Sequence, residues 1–241
     1  MKSGNRFRLI FAISLILTLR GWAAPEGVSP FSNPDPFSPV KQFTAEEQRE
    51  IDTGVKLVRE HKPEAAIAFY REHAKSHPDR WWLAGLLSQL LLAQGSYQEA
   101  YSYASSALRN SGSEANRVVT ISLLTYKGTS AYKLGRFQDS LDCYLQITQV
   151  QPKNPVGYAM AAKILLGFPK ASDRARALPL AEKANELSNR KSPLVLDILA
   201  ETYAATGDKR NAISSEQQAV RCAPQKYKGY FQSRLQIYTV D

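Results

Sequence analysis

Few residue types can hold a metal, carry a proton or attack a carbonyl, and this chain places them sparsely. His73 and His77 stand four residues apart, one turn of a helix, with His61 upstream. Two imidazoles at that spacing can share a metal ion. A plainer reading carries more weight. His77 falls in the last turn of its helix, where a cation complements the helix dipole, and His73 falls at a helix-crossing position of the repeat described below. Glu182 and Glu186 are also one turn apart, but Lys183 beside them makes a solvated face the better account. Cys143 and Cys222 fall two repeat units apart, beyond the ~7 Å Cα separation that a disulfide spans, and read as small buried fillers. The motifs G-x-S-x-G, the P-loop, G-x-G-x-x-G and H-E-x-x-H are all missing from the sequence. No catalytic residue, no metal ligand and no cofactor is therefore assigned.

Charge is the next means of binding. The 241 residues carry 31 Lys and Arg against 22 Asp and Glu, a net +9. Hydrophobic residues make up 44% and charged ones 22%, ordinary globular usage that argues against wholesale disorder and against a polytopic membrane protein. The basic side chains are dispersed: Lys170, Arg174 and Arg176 form a local cluster, and no run exceeds two. A nucleic-acid binder concentrates its cations, so no nucleic-acid partner is expected.

Four cations belong to the N-terminus. Lys2, Arg6 and Arg8 precede the apolar run 9–19, Arg20 ends it, and the small residues Gly21 and Ala23 follow. This is the pattern of a secretory signal peptide over 1–23. As a helix the apolar run spans about 17 Å, short of the ~30 Å bilayer core. An exported chain is expected, periplasmic or extracellular, without stable membrane insertion once the signal is removed; an uncleaved tether is the alternative. Removal takes four cations and no acid, which leaves an excess of five. Residues 24–43 hold five prolines and use Pro-Phe-Ser twice, at 30–32 and 36–38, which reads as an extended linker. Phe31 and Phe37 either belong to a passive tether or dock on a partner or on the folded body.

From residue 44 helix formers dominate, and a period near 34 organises them. Five units emerge: 47–80, 81–114, 121–154, 155–191 and 193–226. Small residues recur in phase. The eighth position holds Gly54, Ser88, Gly128, Ala162 and Ala200; the twentieth holds Ala66, Ala100, Ser140, Ala177 and Ala212. Two helices approach to about 8 Å only where side chains are small. Gly95, Gly135 and Gly207 share the fifteenth position, where a left-handed residue ends the first helix of a pair. Large residues such as Tyr70 and Tyr144 fill the gaps, and Pro78, Pro152 and Pro224 stop the second helix. Thr44 and Glu47 have capping-box spacing at the first helix. Residues 227–241 read as a last amphipathic helix, with Tyr230, Leu235 and Tyr238 covering the open end.

The segments 123–152 and 195–224 carry this pattern best, the second at Leu196, Leu199, Ala200, Tyr203, Gly207, Ala212, Ala219 and Pro224. The pattern resembles the tetratricopeptide repeat family over 47–226. The resemblance implies an all-α, right-handed α-solenoid of about five helix-turn-helix repeats plus a capping helix, over 44–241. It also implies a concave face lined by first helices. The residues it places there are Trp82, Gln89, Tyr126, Thr129, Tyr132, Lys133 and Lys163, with Asp197 and Glu201 further along. Trp82 and Tyr126 have a second reading, as packing between adjacent helices. The family's clamp for acidic C-terminal tails is unmatched, since Ile51 and Val55 stand where Lys and Asn belong. The function implied is a non-catalytic protein-interaction scaffold of the cell envelope or periplasm that takes an extended peptide or a partner domain. The alternative is an accessory module for a non-protein ligand such as glycan. Neither the identity of the partner nor the oligomeric state follows from the pattern.

Overall fold

The computed structural model describes residues 43–239. The expected signal peptide and the linker up to residue 42 lie outside them. The described residues form eleven α-helices and two short 3-10 turns, with no strand. The helices are α1 Ala45–Arg59, α2 Pro63–Ser76, α3 Trp81–Gln94, α4 Tyr97–Ser111, α5 Arg117–Lys133, α6 Phe137–Val150, α7 Pro155–Leu166, α8 Ala171–Leu187, α9 Pro193–Ala205, α10 Lys209–Cys222 and α11 Lys228–Thr239. The fold is all-α, as the helix-pair period implies. The chain divides into two compact units after Gly135, so that α1–α5 form one and α6–α11 the other.

Local signals set the helix ends. Thr44 and Glu47 make the expected capping box: Thr44 Oγ1 accepts from the Glu47 N–H at 3.2 Å, and the Thr44 N–H donates to Glu47 Oε2 at 2.8 Å. Asn116, Asn154, Ser192 and Asp208 cap α5, α7, α9 and α10 through side-chain oxygens. Pro63, Pro155 and Pro193 occupy first-turn positions, where the missing N–H costs nothing. The Asn116 cap starts α5 at Arg117, so the segment assigned to the gap between units two and three mostly joins the helix. Gly95, Gly135 and Gly207 have φ of 90°, 73° and 85°, the left-handed turn expected of them. His61 takes the same place in the first pair at φ 58°.

In the first unit α2 packs on α1, α3 on α2, α4 on α3 and α5 on both α4 and α3. Its core joins Ile51, Leu83, Leu87, Leu91 and Tyr70 with the small residues Ala66, Ala100 and Ala107. The closest approach is at Gly54, where an added Cβ would overlap the Tyr70 ring at Cζ. That ring is held in place by its buried hydroxyl, which donates to the Ile51 carbonyl at 3.0 Å.

In the second unit α7 packs on α6 and α8, α9 on α7 and α8, α10 on α9, and α11 on α10 and α9. Ala162, Ala177, Ala184, Ala200, Ala212 and Ala219 are fully buried along these contacts. The last helix turns a different face inward from the one expected. Phe231 is the buried residue, packed on Leu196, Ala219 and Ala223, while Tyr230 is exposed and Leu235 and Tyr238 are half-buried. No helix among the described residues is long and apolar enough to cross a membrane.

Candidate functional site

Between α1, α3 and α5 the first unit holds a shallow, half-open pocket. Trp82, Leu86 and Gln89 come from α3, Ile51 from α1, and Leu123 and Tyr126 from α5. The spacing explains the convergence: 82, 86 and 89 share one face of a helix, and 123 and 126 share another. Phe43, immediately before the Thr44 cap, closes one side. Its ring meets Trp82 edge-on, with centroids 5.4 Å apart and planes at 81°.

Two polar atoms in this wall have no hydrogen-bond partner among the described residues, Trp82 Nε1 and Tyr126 Oη, and both are shielded from water. Such a group costs about 1–3 kcal/mol. The indole N–H can only donate. Burial pushes the Tyr126 phenol well above its ordinary range, so it keeps its proton and is also available as a donor. Trp81 differs from its neighbour: its Nε1 donates to Glu114 Oε2 at 2.8 Å, which ties the rim of the pocket to the turn before α5. The lining of the site is therefore apolar and aromatic, and the two unpartnered donors are buried within its wall.

Three of the expected groove residues, Trp82, Gln89 and Tyr126, line this pocket together. Thr129 is buried further along α5, Tyr132 is half-buried and Lys133 is exposed at its C-terminal end; none of the three lines the pocket. Phe43 is a pocket residue that repeat position could not reveal, because it precedes the first repeat. Its signal was the aromatic residue next to a helix cap, the place of a hydrophobic staple.

Lys163 lies in the second unit, within a polar network of that unit. Its Nζ donates to Glu201 Oε2 at 2.9 Å. Arg234 of α11 donates through Nη2 to the same oxygen at 3.3 Å and through Nε to Asp197 Oδ1 at 2.8 Å. The last helix thus places its own cation on Asp197 and Glu201, the carboxylates expected to face a partner. Burial works against the Arg234 charge, but the Asp197 contact outweighs it and holds the guanidinium above its ordinary range. Behind the network, Glu216 of α10 is fully buried. Burial and then the nearby Asp197 carboxylate push its acid up to about 8.

The histidines do not converge as a pair. His73 Nδ1 lies 2.9 Å from the Phe69 carbonyl and the imidazole stacks on the Phe69 ring. His77 instead comes near Glu46 and Glu50. Arg80 already pairs with both carboxylates, with Glu46 at 3.0 Å. That guanidinium supplies the positive charge that a metal would bring. Cys143 is buried and Cys222 half-buried, and the two form no disulfide.

No family model matches the chain, and no curated protein matches it. Solved structures do. The chain is similar to MamA from Desulfovibrio magneticus RS-1, with 14% identity and a TM-score of 0.63 over 75% of this chain and 97% of that one. It is similar to a tetratricopeptide protein of Thermus thermophilus, with 17% identity and a TM-score of 0.58 over 78% and 98%. A third is YrrB, described as a tetratricopeptide protein with an unusual peptide-binding site, with 17% identity and a TM-score of 0.59 over 77% and 90%. The chain has the tetratricopeptide-repeat fold. In tetratricopeptide terms the pocket lies on first helices, α1, α3 and α5, with Trp82 at the second position of one repeat and Tyr126 at the sixth position of the next.

Proposed function

We propose that the protein is a non-catalytic, exported interaction scaffold that binds an extended peptide in the first-unit pocket. The observation that carries this reading is the half-open apolar aromatic wall of Trp82, Leu86 and Tyr126, with two unpartnered donors, Trp82 Nε1 and Tyr126 Oη, buried within it. An extended peptide offers side chains for that apolar surface, and its backbone carbonyls are acceptors for the two donors once the rings turn toward it. A glycan presents many hydroxyls, and this wall would leave most of them without partners, so the peptide is the better fit. A peptide site in one similar fold, YrrB, agrees with this use of the architecture. The N-terminal signal pattern and the tether that follows it support export.

Tyr126→Phe keeps the ring and deletes one donor; Trp82→Phe keeps an aromatic ring and deletes the other donor together with part of the apolar wall. If each donor bonds a peptide carbonyl, each change weakens binding by about tenfold, the equivalent of one net hydrogen bond. Lys133→Glu, outside the pocket wall, leaves affinity unchanged. Titrating the three variants against peptides selected from an array checks this. Equal affinity in wild type, Trp82→Phe and Tyr126→Phe would overturn the pocket reading.

A further inference from the structure

We infer that the occupant of the first-unit pocket is the chain's own proline-rich segment, residues 30–39, bound in cis through its Pro-Phe-Ser motifs. This rests on reading the pocket as a peptide site and names the peptide. Three observations converge. The first is the entry of the chain. Phe43 already forms part of the pocket wall and packs edge-on against Trp82, so the chain enters the first repeat at the site itself. The second is reach. Phe37 precedes Phe43 by six residues, and six residues extend to about 20 Å. A segment tethered that closely competes at an effective concentration in the millimolar range.

The third is chemical complementarity. The segment PFSNPDPFSP is poor in backbone N–H groups and keeps every carbonyl. The two unpartnered polar atoms buried within the pocket wall are a donor-only indole and a protonated phenol, which reach an acceptor when the rings turn toward it. Carbonyl-rich proline segments bind aromatic-lined grooves in this manner, with little ordering entropy to overcome because proline has already restricted the chain. Phe37 and Phe31 supply the apolar anchor that the wall of Phe43, Trp82, Leu86 and Tyr126 calls for. The segment lies beyond Ala23, so it stays with the chain after signal removal. It acts as a built-in competitor: a foreign peptide reaches the pocket only by displacing it.

The test uses the full chain, wild type and Phe31→Ala/Phe37→Ala, with a fluorescently labelled synthetic peptide of residues 28–41 as the probe. The double variant should bind the probe at least tenfold more tightly than wild type, and adding Tyr126→Phe should reverse that gain. The indole N–H resonance of Trp82 should also differ between wild type and the double variant. Equal probe binding by both chains, or none by either, would overturn the inference. A wild-type dimer that the double variant loses would overturn the cis arrangement, because the segment would then dock on a second copy. Failure of the pocket reading itself looks different: no array peptide binds either chain, and Tyr126→Phe changes nothing. If array peptides bind wild type through Tyr126 with no response to the double variant, the pocket stands and its self-occupancy falls.

Discussion

Glu216 occupies the repeat position at which the first and third repeats place Tyr70 and Tyr144, and this substitution makes the second unit sensitive to pH. Its carboxyl oxygens are sealed from water. Burial, and then the neighbouring Asp197, raise its pKa from 4.5 to about 8. The folded chain therefore keeps a proton that the unfolded chain gives up. Below about pH 4.5 both states are protonated and Glu216 has no effect. Between about 4.5 and 8 the unfolded state binds fewer protons, so stability falls as pH rises, and it levels off above 8. Glu216→Gln removes the titrating group and keeps the shape. In melts from pH 5 to 9 the wild-type Tm should drop relative to that of Glu216→Gln; parallel curves would show that Glu216 does not titrate in this range. His61 makes a related point at the same scale. It holds a left-handed turn at φ 58° that glycine fills in three other repeats, and the cost, about 1 kcal/mol, falls on the first pair.

At the scale of helices, the crossing of α1 and α2 depends on one missing methyl group. A Cβ at Gly54 would collide with the buried end of the Tyr70 ring. Gly54→Ala should cost about 1–3 kcal/mol, the range for overpacking a core, read as a lowered urea midpoint. The loss should shrink sharply when the same change is made in a Tyr70→Leu background, where the ring is gone. Much of this level was legible beforehand. Small residues in phase mark helix crossings wherever a repeat has a neighbour on each side, and the left-handed glycines mark the turns. Repeat position also brought Trp82, Gln89 and Tyr126 to one pocket. It failed where periodicity ends. Phe43 lies before the first repeat, and the phase of α11 has no following unit to fix it, so Phe231 rather than Tyr230 turns inward. Repeat position also says nothing of pairing across elements. Asp197, Glu201 and Lys163 read as open groove residues, yet Arg234 and Lys163 bond the two carboxylates within the unit.

For the molecule as a whole, the net charge has a different meaning from the one its size suggests. Four of the nine excess charges lie in the expected signal, and the rest are spread along helices and turns. That distribution bears on solubility more than on partner choice. The proposed export predicts a definite end group. N-terminal sequencing of protein recovered from outside the cytoplasm should begin at Ala24, and a chain beginning at Met1 there would favour an uncleaved tether. The seating of α11 has a consequence for growth. Repeat arrays are polymers of one structural monomer, and any exposed terminal face is a site at which another unit can add. Here Phe231 fills that face in the second unit, and Arg234 saturates Asp197 and Glu201. In polymer language α11 is a chain terminator. Extension at this end, by a grafted repeat or a second copy, requires that a partly buried ion pair be broken first.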